Sequence, residues 1–185
     1  PIRTAEDIER FAERSRRHWG HSLDTPITNM IRVLELAGVL VTRLTFDGAA
    51  QKIDAFSRAG KRHVVVLIAD KGSPSRSVFD AAHECGHLGM HIGLEAGSPE
   101  LEQQADRFAS AFLMPRVGFL REFPRSRQLE WDRLIALKAR WRVSLGAMIR
   151  RAYDLQLIDA AQYQRGFRYL RWKGWDKGEP GEGTA

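Results

Sequence analysis

"AAHECGHLGMH" (residues 81–91) places two histidines and a glutamate in the order His-Glu-x-x-His, with a third histidine, His91, four residues further on. At about 100° of turn per helical residue, His83 and His87 lie only ~40° apart and one turn apart. Both imidazoles can then reach one ion at ~2.0–2.1 Å. Glu84 flanks that face, offset by about 80° from its centre, so its carboxylate can meet a water on the ion without displacing it. Cys85 falls on the opposite side of the helix and reads as a small core residue rather than a ligand. His91 stands ~12 Å along the axis from His83, too far for one ion to take all three histidines. It is left as a group behind the ligands, a substrate contact, or a histidine that ends the helix.

The third ligand must come from elsewhere. The metzincin spacing requires glycine and histidine where this chain has Met90 and Gly93, so that option fails. In residues 101–113, Leu101, Ala105, Phe108, Ala109, Phe112 and Leu113 share one apolar face. Helical phase puts Glu102 inside that face, Asp106 on its border and Glu100 opposite. A carboxylate on an apolar face is costly unless paired or metal-bound. Glu102 is therefore favoured, with Asp106 as the fallback and an ion pair of Glu102 with Arg107 or Arg121 as the structural alternative. Asp80, one turn before His83, is placed to orient a ligand imidazole.

Around this motif the chain reads as α+β. Thr4 and Asp7 suggest a capping box for a first helix carrying Ile8, Phe11 and Ala12. A second helix is expected from Asp24 or Thr25, with Pro26 in its first turn and Gly38 as its stop. Residues 39–46 alternate like a half-buried strand. "HVVVLIAD" (63–70) reads as an inner strand paired with 52–57 as a hairpin. Ser73-Pro74 opens the helix of the motif, and glycines 89 and 93 close it. Ser98-Pro99 opens the next, which ends before Pro115. Further helices are expected at 116–122, 127–141, 144–154 and after Asp159. The expectation is a domain over 1–124 with a small, about three-stranded sheet packed on the HExxH helix. A C-terminal helical bundle with a helix-turn-helix flavour follows over 125–172, then a flexible tail over 173–185.

With 185 residues, 43% hydrophobic and 28% charged, the chain is an ordinary globular size and composition. No apolar run approaches the ~20 residues of a membrane helix, and no signal-peptide pattern opens the chain. A single cysteine allows no intrachain disulfide and suits a reducing cytoplasm. Net charge is +6, from 29 basic and 23 acidic residues. The excess gathers in Arg14–Arg17, Arg116–Arg127 and Arg133–Arg151. It reads as solvated basic surface, with an acidic partner or DNA as the alternative.

The motif and its surroundings resemble the ImmA/IrrE family of zinc-dependent metallo-endopeptidases. "AAHECGHLGMH" is similar to the family's helix and "EQQADRFASAFLMP" (102–115) to its second motif. "IDAFS" (53–57), "LKARWRVSLGAMIRRAYDL" (137–155) and "GWDKGEP" (174–180) extend the likeness over most of the chain. The resemblance implies a mostly helical, zincin-like metalloprotease domain, with zinc (or manganese) on His83, His87 and Glu102 and Glu84 as catalytic base. Asp80, His91 and Asp106 are the candidate supporting residues. The family usually has leucine at the position of Cys85 and often asparagine at that of Asp106. Many long members carry an N-terminal helix-turn-helix of the XRE type, absent or cropped here. The implied function is cytoplasmic cleavage of an XRE-type helix-turn-helix repressor, relieving repression in stress response or mobile-element control. The alternative is a non-catalytic zinc-containing module that grips a repressor or DNA.

Overall fold

The computed structural model describes residues 4–44, 55–58, 63–68, 73–94 and 97–182. Within them lie eight helices and three strands, in the order α1 (Ala5–His18), α2 (Met30–Leu36), β1 (Leu40–Leu44), β2 (Ala55–Arg58), β3 (Val64–Ile68), α3 (Pro74–Met90), α4 (Pro99–Leu113), α5 (Arg116–Glu122), α6 (Trp131–Trp141), α7 (Leu145–Asp154) and α8 (Ala160–Trp172). The architecture is the α+β one expected.

Helix α1 starts at the expected capping box. The Asp7 amide donates to Thr4 Oγ1 and the Thr4 amide to Asp7, which pairs two amides that a helix start leaves open. Ile8 and Ala12 turn inward. So does Arg16, which is wholly buried. Its guanidinium donates to the carbonyls of Ser22, Thr25 and Phe112.

Arg16 explains why α2 begins at Met30, capped by Asn29, and not at Asp24 or Thr25. The carbonyls of residues 22 and 25 serve a buried cation, so this stretch wraps the arginine instead of winding into a helix. Helix α6 likewise starts at Trp131, four residues later than expected, because Gln162 of α8 donates to the carbonyls of Ser126 and Arg127.

The sheet has the order β1-β3-β2, with β1 parallel and β2 antiparallel to β3. Val65 and Val66 of the central strand are buried, and α3 packs against both β2 and β3. The expected strand residues 45–46 and 52–54 lie outside the described residues.

Helices α3 and α4 make the most extensive contact in the fold. Gly86 permits it. A Cβ there would lie 3.0 Å from Phe108 Cδ1 and 3.3 Å from the Ala105 backbone, closer than side chains normally pack. Helix α3 runs to Met90 and the chain then turns at Gly93, with φ of +81°. Glycine adopts that left-handed geometry without strain. Gly89, expected to help end the helix, lies within it.

The helices after residue 125 share one core with the rest, running from Ile8 through Phe108 to Ile149 and Leu170. Arg151 of α7 is fully buried, donating to the Met114 carbonyl and pairing with Glu9 of α1. Leu145, Met148 and Ile149 also face inward. The arginines of two basic stretches are thus partly internal, and the helix-turn-helix-like α6–α7 turns its apolar face to the core. Residues 173–182, expected to fray, come back across the body. Glu179 and Glu182 close on Lys138 at 3.0 and 2.6 Å, and Glu179 accepts from the Leu145 amide at the start of α7.

Candidate metal centre

Helix α3 presents His83 and His87 from one face, as their spacing requires, and α4 brings Glu102 to them. His83 Nε2 lies 3.0 Å from His87 Nε2 and 3.1 Å from Glu102 Oε2, and His87 Nε2 lies 3.5 Å from Glu102 Oε1. These three ligand atoms lie within 4.8 Å of one another. Donors at ~2.0–2.1 Å around a tetrahedral ion sit about 3.3 Å apart. The set therefore fits a divalent metal in both chemistry and spacing. With their lone pairs turned toward one another, two imidazole nitrogens and a carboxylate oxygen at these distances are the donor set a divalent cation takes.

Glu102 departs from expectation in one respect. Its side chain is 47% exposed in the first turn of α4, not sunk in the apolar face of that helix. Half exposed, Glu102 bears little desolvation cost, and it is its position beside the two imidazoles that makes it a candidate ligand. The alternative arginine partners are occupied or apart. Arg121 turns to Asp24 and Glu122, and Arg107 Nε has no acceptor among the described residues.

Behind the ligands, Asp106 Oδ1 meets His83 Nδ1 at 2.8 Å. Asp106 thus lies against the far nitrogen of His83, outside the ligand trio. Burial alone would lower the His83 pKa, but Asp106, with the charges of Glu84 and Glu102, outweighs it and raises it. His87 goes the other way, pulled down by burial and by His83 beside it. Asp80 lines the same cleft as Asp106, of about 740 Å³. His91 is buried at the end of α3, its Nδ1 2.9 Å from that of His87.

Glu84 is 6% exposed and stays out of the ligand trio. Burial raises its pKa, against the hydrogen bond that it accepts from Ser57 of β2. Cys85 is buried in the core as expected, its thiol pushed up to about 12 by burial. Ser57 and Gln104, which partners His91 Nε2 at 3.0 Å, were not singled out from the sequence. Neither belongs to a recognisable spacing, since each reaches the site only across a packing boundary.

Residues 34–153 match the family model of the IrrE N-terminal-like domain, a peptidase family. Among solved structures, a Mycobacterium tuberculosis transcriptional regulator is similar with a TM-score of 0.52 and 18% identity, covering 78% of this chain and 46% of that one. At that identity the likeness is one of fold. The chain spans about half the length of that regulator. No curated protein matches the chain.

Proposed function

The chain belongs to the IrrE N-terminal-like peptidase family, and from that premise we propose that it is a zinc-dependent endopeptidase of the cytoplasm. Its proposed substrate is a helix-turn-helix repressor of the XRE type, cut to relieve repression. The observation that carries this reading is the meeting of His83, His87 and Glu102 next to a buried glutamate that no metal ligand needs.

A divalent ion held by these three side chains, zinc first and manganese as the substitute, would polarise the scissile carbonyl and acidify a water. The remaining work falls to the protein's own groups. Glu84, buried and held by Ser57, takes a proton from the attacking water and returns it to the amine nitrogen as the C–N bond breaks. Its raised pKa brings the carboxylate closer to the proton affinity that such a shuttle needs. Asp106 accepts from His83 Nδ1–H, which keeps the Nε2 lone pair aimed at the ion.

An extended substrate segment has an edge to join. The central position of β3 in the order β1-β3-β2 excludes it as that edge. Among the described residues strand β2, its hairpin partner, is an edge strand that reaches Glu84 through Ser57, so a peptide added along β2 would lie beside the reacting groups. The buried apolar face of α7 speaks for a packing role rather than DNA recognition.

The test is incubation of the purified chain with the XRE-type repressor encoded beside it, with Zn²⁺ or Mn²⁺, followed by mass spectrometry. Discrete fragments that a chelator abolishes support the endopeptidase. Stable binding of an intact repressor under all metal conditions would make the chain a gripping module instead.

A further inference from the structure

The second histidine of the centre is held from behind by a hydrogen-bond chain that crosses from α3 to α4. His87 Nδ1 and His91 Nδ1 are 2.9 Å apart, His91 Nε2 lies 3.0 Å from Gln104 Oε1, and Gln104 Nε2 donates to Glu100 Oε1 at 3.3 Å. The atoms at the far end set its direction. Glu100 accepts, which fixes the Gln104 amide with its nitrogen toward Glu100 and its oxygen toward His91. An amide oxygen only accepts, so His91 Nε2 is the donor of that pair. With its one ring proton on Nε2, His91 keeps a lone pair on Nδ1 that can accept from His87 Nδ1–H. That leaves the lone pair of His87 on Nε2, the atom that faces His83 Nε2 and Glu102.

We propose that His91 and Gln104 are positioning residues of the metal centre, setting the tautomer and ring orientation of His87. This inference rests on the metallopeptidase reading of the site. The two residues also link the second ligand to α4, the helix that carries the third. His91 can serve because it is the residue at which α3 ends: its amide still donates to the His87 carbonyl at 2.9 Å, and the residue is 8% exposed. The imidazole is thus held between α3 and α4, its ring centroid 5.0 Å from that of His87.

The choice of a neutral partner has an electrostatic reason. Glu84, Glu102 and Asp106 already set three carboxylates around the two imidazoles. A fourth carboxylate behind His87 would add like charge to a partly buried cluster, at a cost that grows as water is excluded. An imidazole passing its hydrogen bond on to an amide supplies orientation without added charge. The two ligands are therefore supported unequally, His83 directly by an anion and His87 through two neutral groups that keep the Glu100 carboxylate at a distance.

The experiment is Zn²⁺ affinity by competition with a chromophoric chelator, with folding followed by circular dichroism and the d–d spectrum of the Co²⁺ form recorded alongside. His91→Phe should weaken Zn²⁺ binding by about 10–100-fold. His91→Asn, whose amide oxygen can stand where Nδ1 stands and accept from His87, should restore most of that loss and the Co²⁺ spectrum. Gln104→Leu should weaken binding less than His91→Phe. Unchanged affinity in His91→Phe overturns the inference. So does an equal loss in the Phe and Asn variants, which would mark a merely structural side chain. If the unaltered chain takes up neither Zn²⁺ nor Co²⁺, the metallopeptidase reading itself falls, and this inference with it.

Discussion

His83 and Asp106, 23 residues apart in sequence, meet Nδ1 to Oδ1 at 2.8 Å across the boundary of α3 and α4. The carboxylate is well exposed, at 61%, so its value as an ion pair with a protonated histidine is small in water. The role proposed for it is orientation of the His83 ring. Asp106→Ala is expected to weaken Zn²⁺ binding by about 10–100-fold. Asp106→Asn keeps an oxygen that can accept from Nδ1–H and should bind within a few-fold of the unaltered protein. Chelator competition measures both, and equal affinity for the Ala and Asn variants would remove the orienting role.

Glu84 is separable from the metal ligands by experiment. Glu84→Gln preserves shape and leaves His83, His87 and Glu102 in place, so metal content should be unchanged. Peptide cleavage should fall by about 10²–10⁴-fold, the range a positioned general base contributes. Metal analysis and single-turnover cleavage of the proposed repressor substrate would be read together. Full activity in this variant would remove Glu84 as the base.

Gly86 sets how closely α3 and α4 approach, and thereby how closely two ligands approach the third. Gly86→Leu forces a branched side chain against Phe108 and the backbone of Ala105, an overpacking expected to cost about 1–3 kcal/mol. Thermal denaturation should show that loss. Zn²⁺ affinity should fall as well, because the helices that carry the ligands are pushed apart. A destabilised variant with unaltered metal affinity would mean that the site adjusts independently of this contact.

Docking of the C-terminal segment should depend on acid. Burial by itself raises the pKa of Glu182, but the Lys138 ammonium and the Ser73 and Ser75 hydroxyls outweigh it and hold the carboxyl below its ordinary value. The undocked chain then binds that proton more readily than the docked one. The stabilisation is complete above the usual glutamate pKa of ~4.3 and is lost as pH falls through the lower, docked value. Hydrogen-exchange protection over residues 173–182, corrected for intrinsic rates, should hold from pH 7 to pH 5 and decline below about pH 4. Protection that is flat through that range would count against the Lys138 contact as the anchor.

Much of the site was legible because a helix converts spacing into geometry. The period of 3.6 residues is a local property of the backbone, so His83 and His87 had to share a face and Cys85 had to leave it. The capping box of Thr4 and Asp7, the start of α3 at Ser73-Pro74 and the end of α4 before Pro115 are equally local, and they stand where the residues indicated. Glu102 does stand beside the two imidazoles, yet it is half exposed, because helical phase counts neighbours on one helix only and takes no account of which neighbouring elements cover it.

What only the tertiary structure decided are the contacts that cross between elements. Asp106 behind His83, Gln104 behind His91 and Ser57 on Glu84 all depend on how α3, α4 and β2 lie against one another. That arrangement comes from shape, above all from Gly86 admitting Phe108 and Ala105, and no spacing along the chain encodes it. The same holds for charge. Composition counts Arg16 and Arg151 as basic surface, yet both are fully buried. Each is stabilised by carbonyls or a carboxylate from a distant segment, partners that only the closed fold brings within reach.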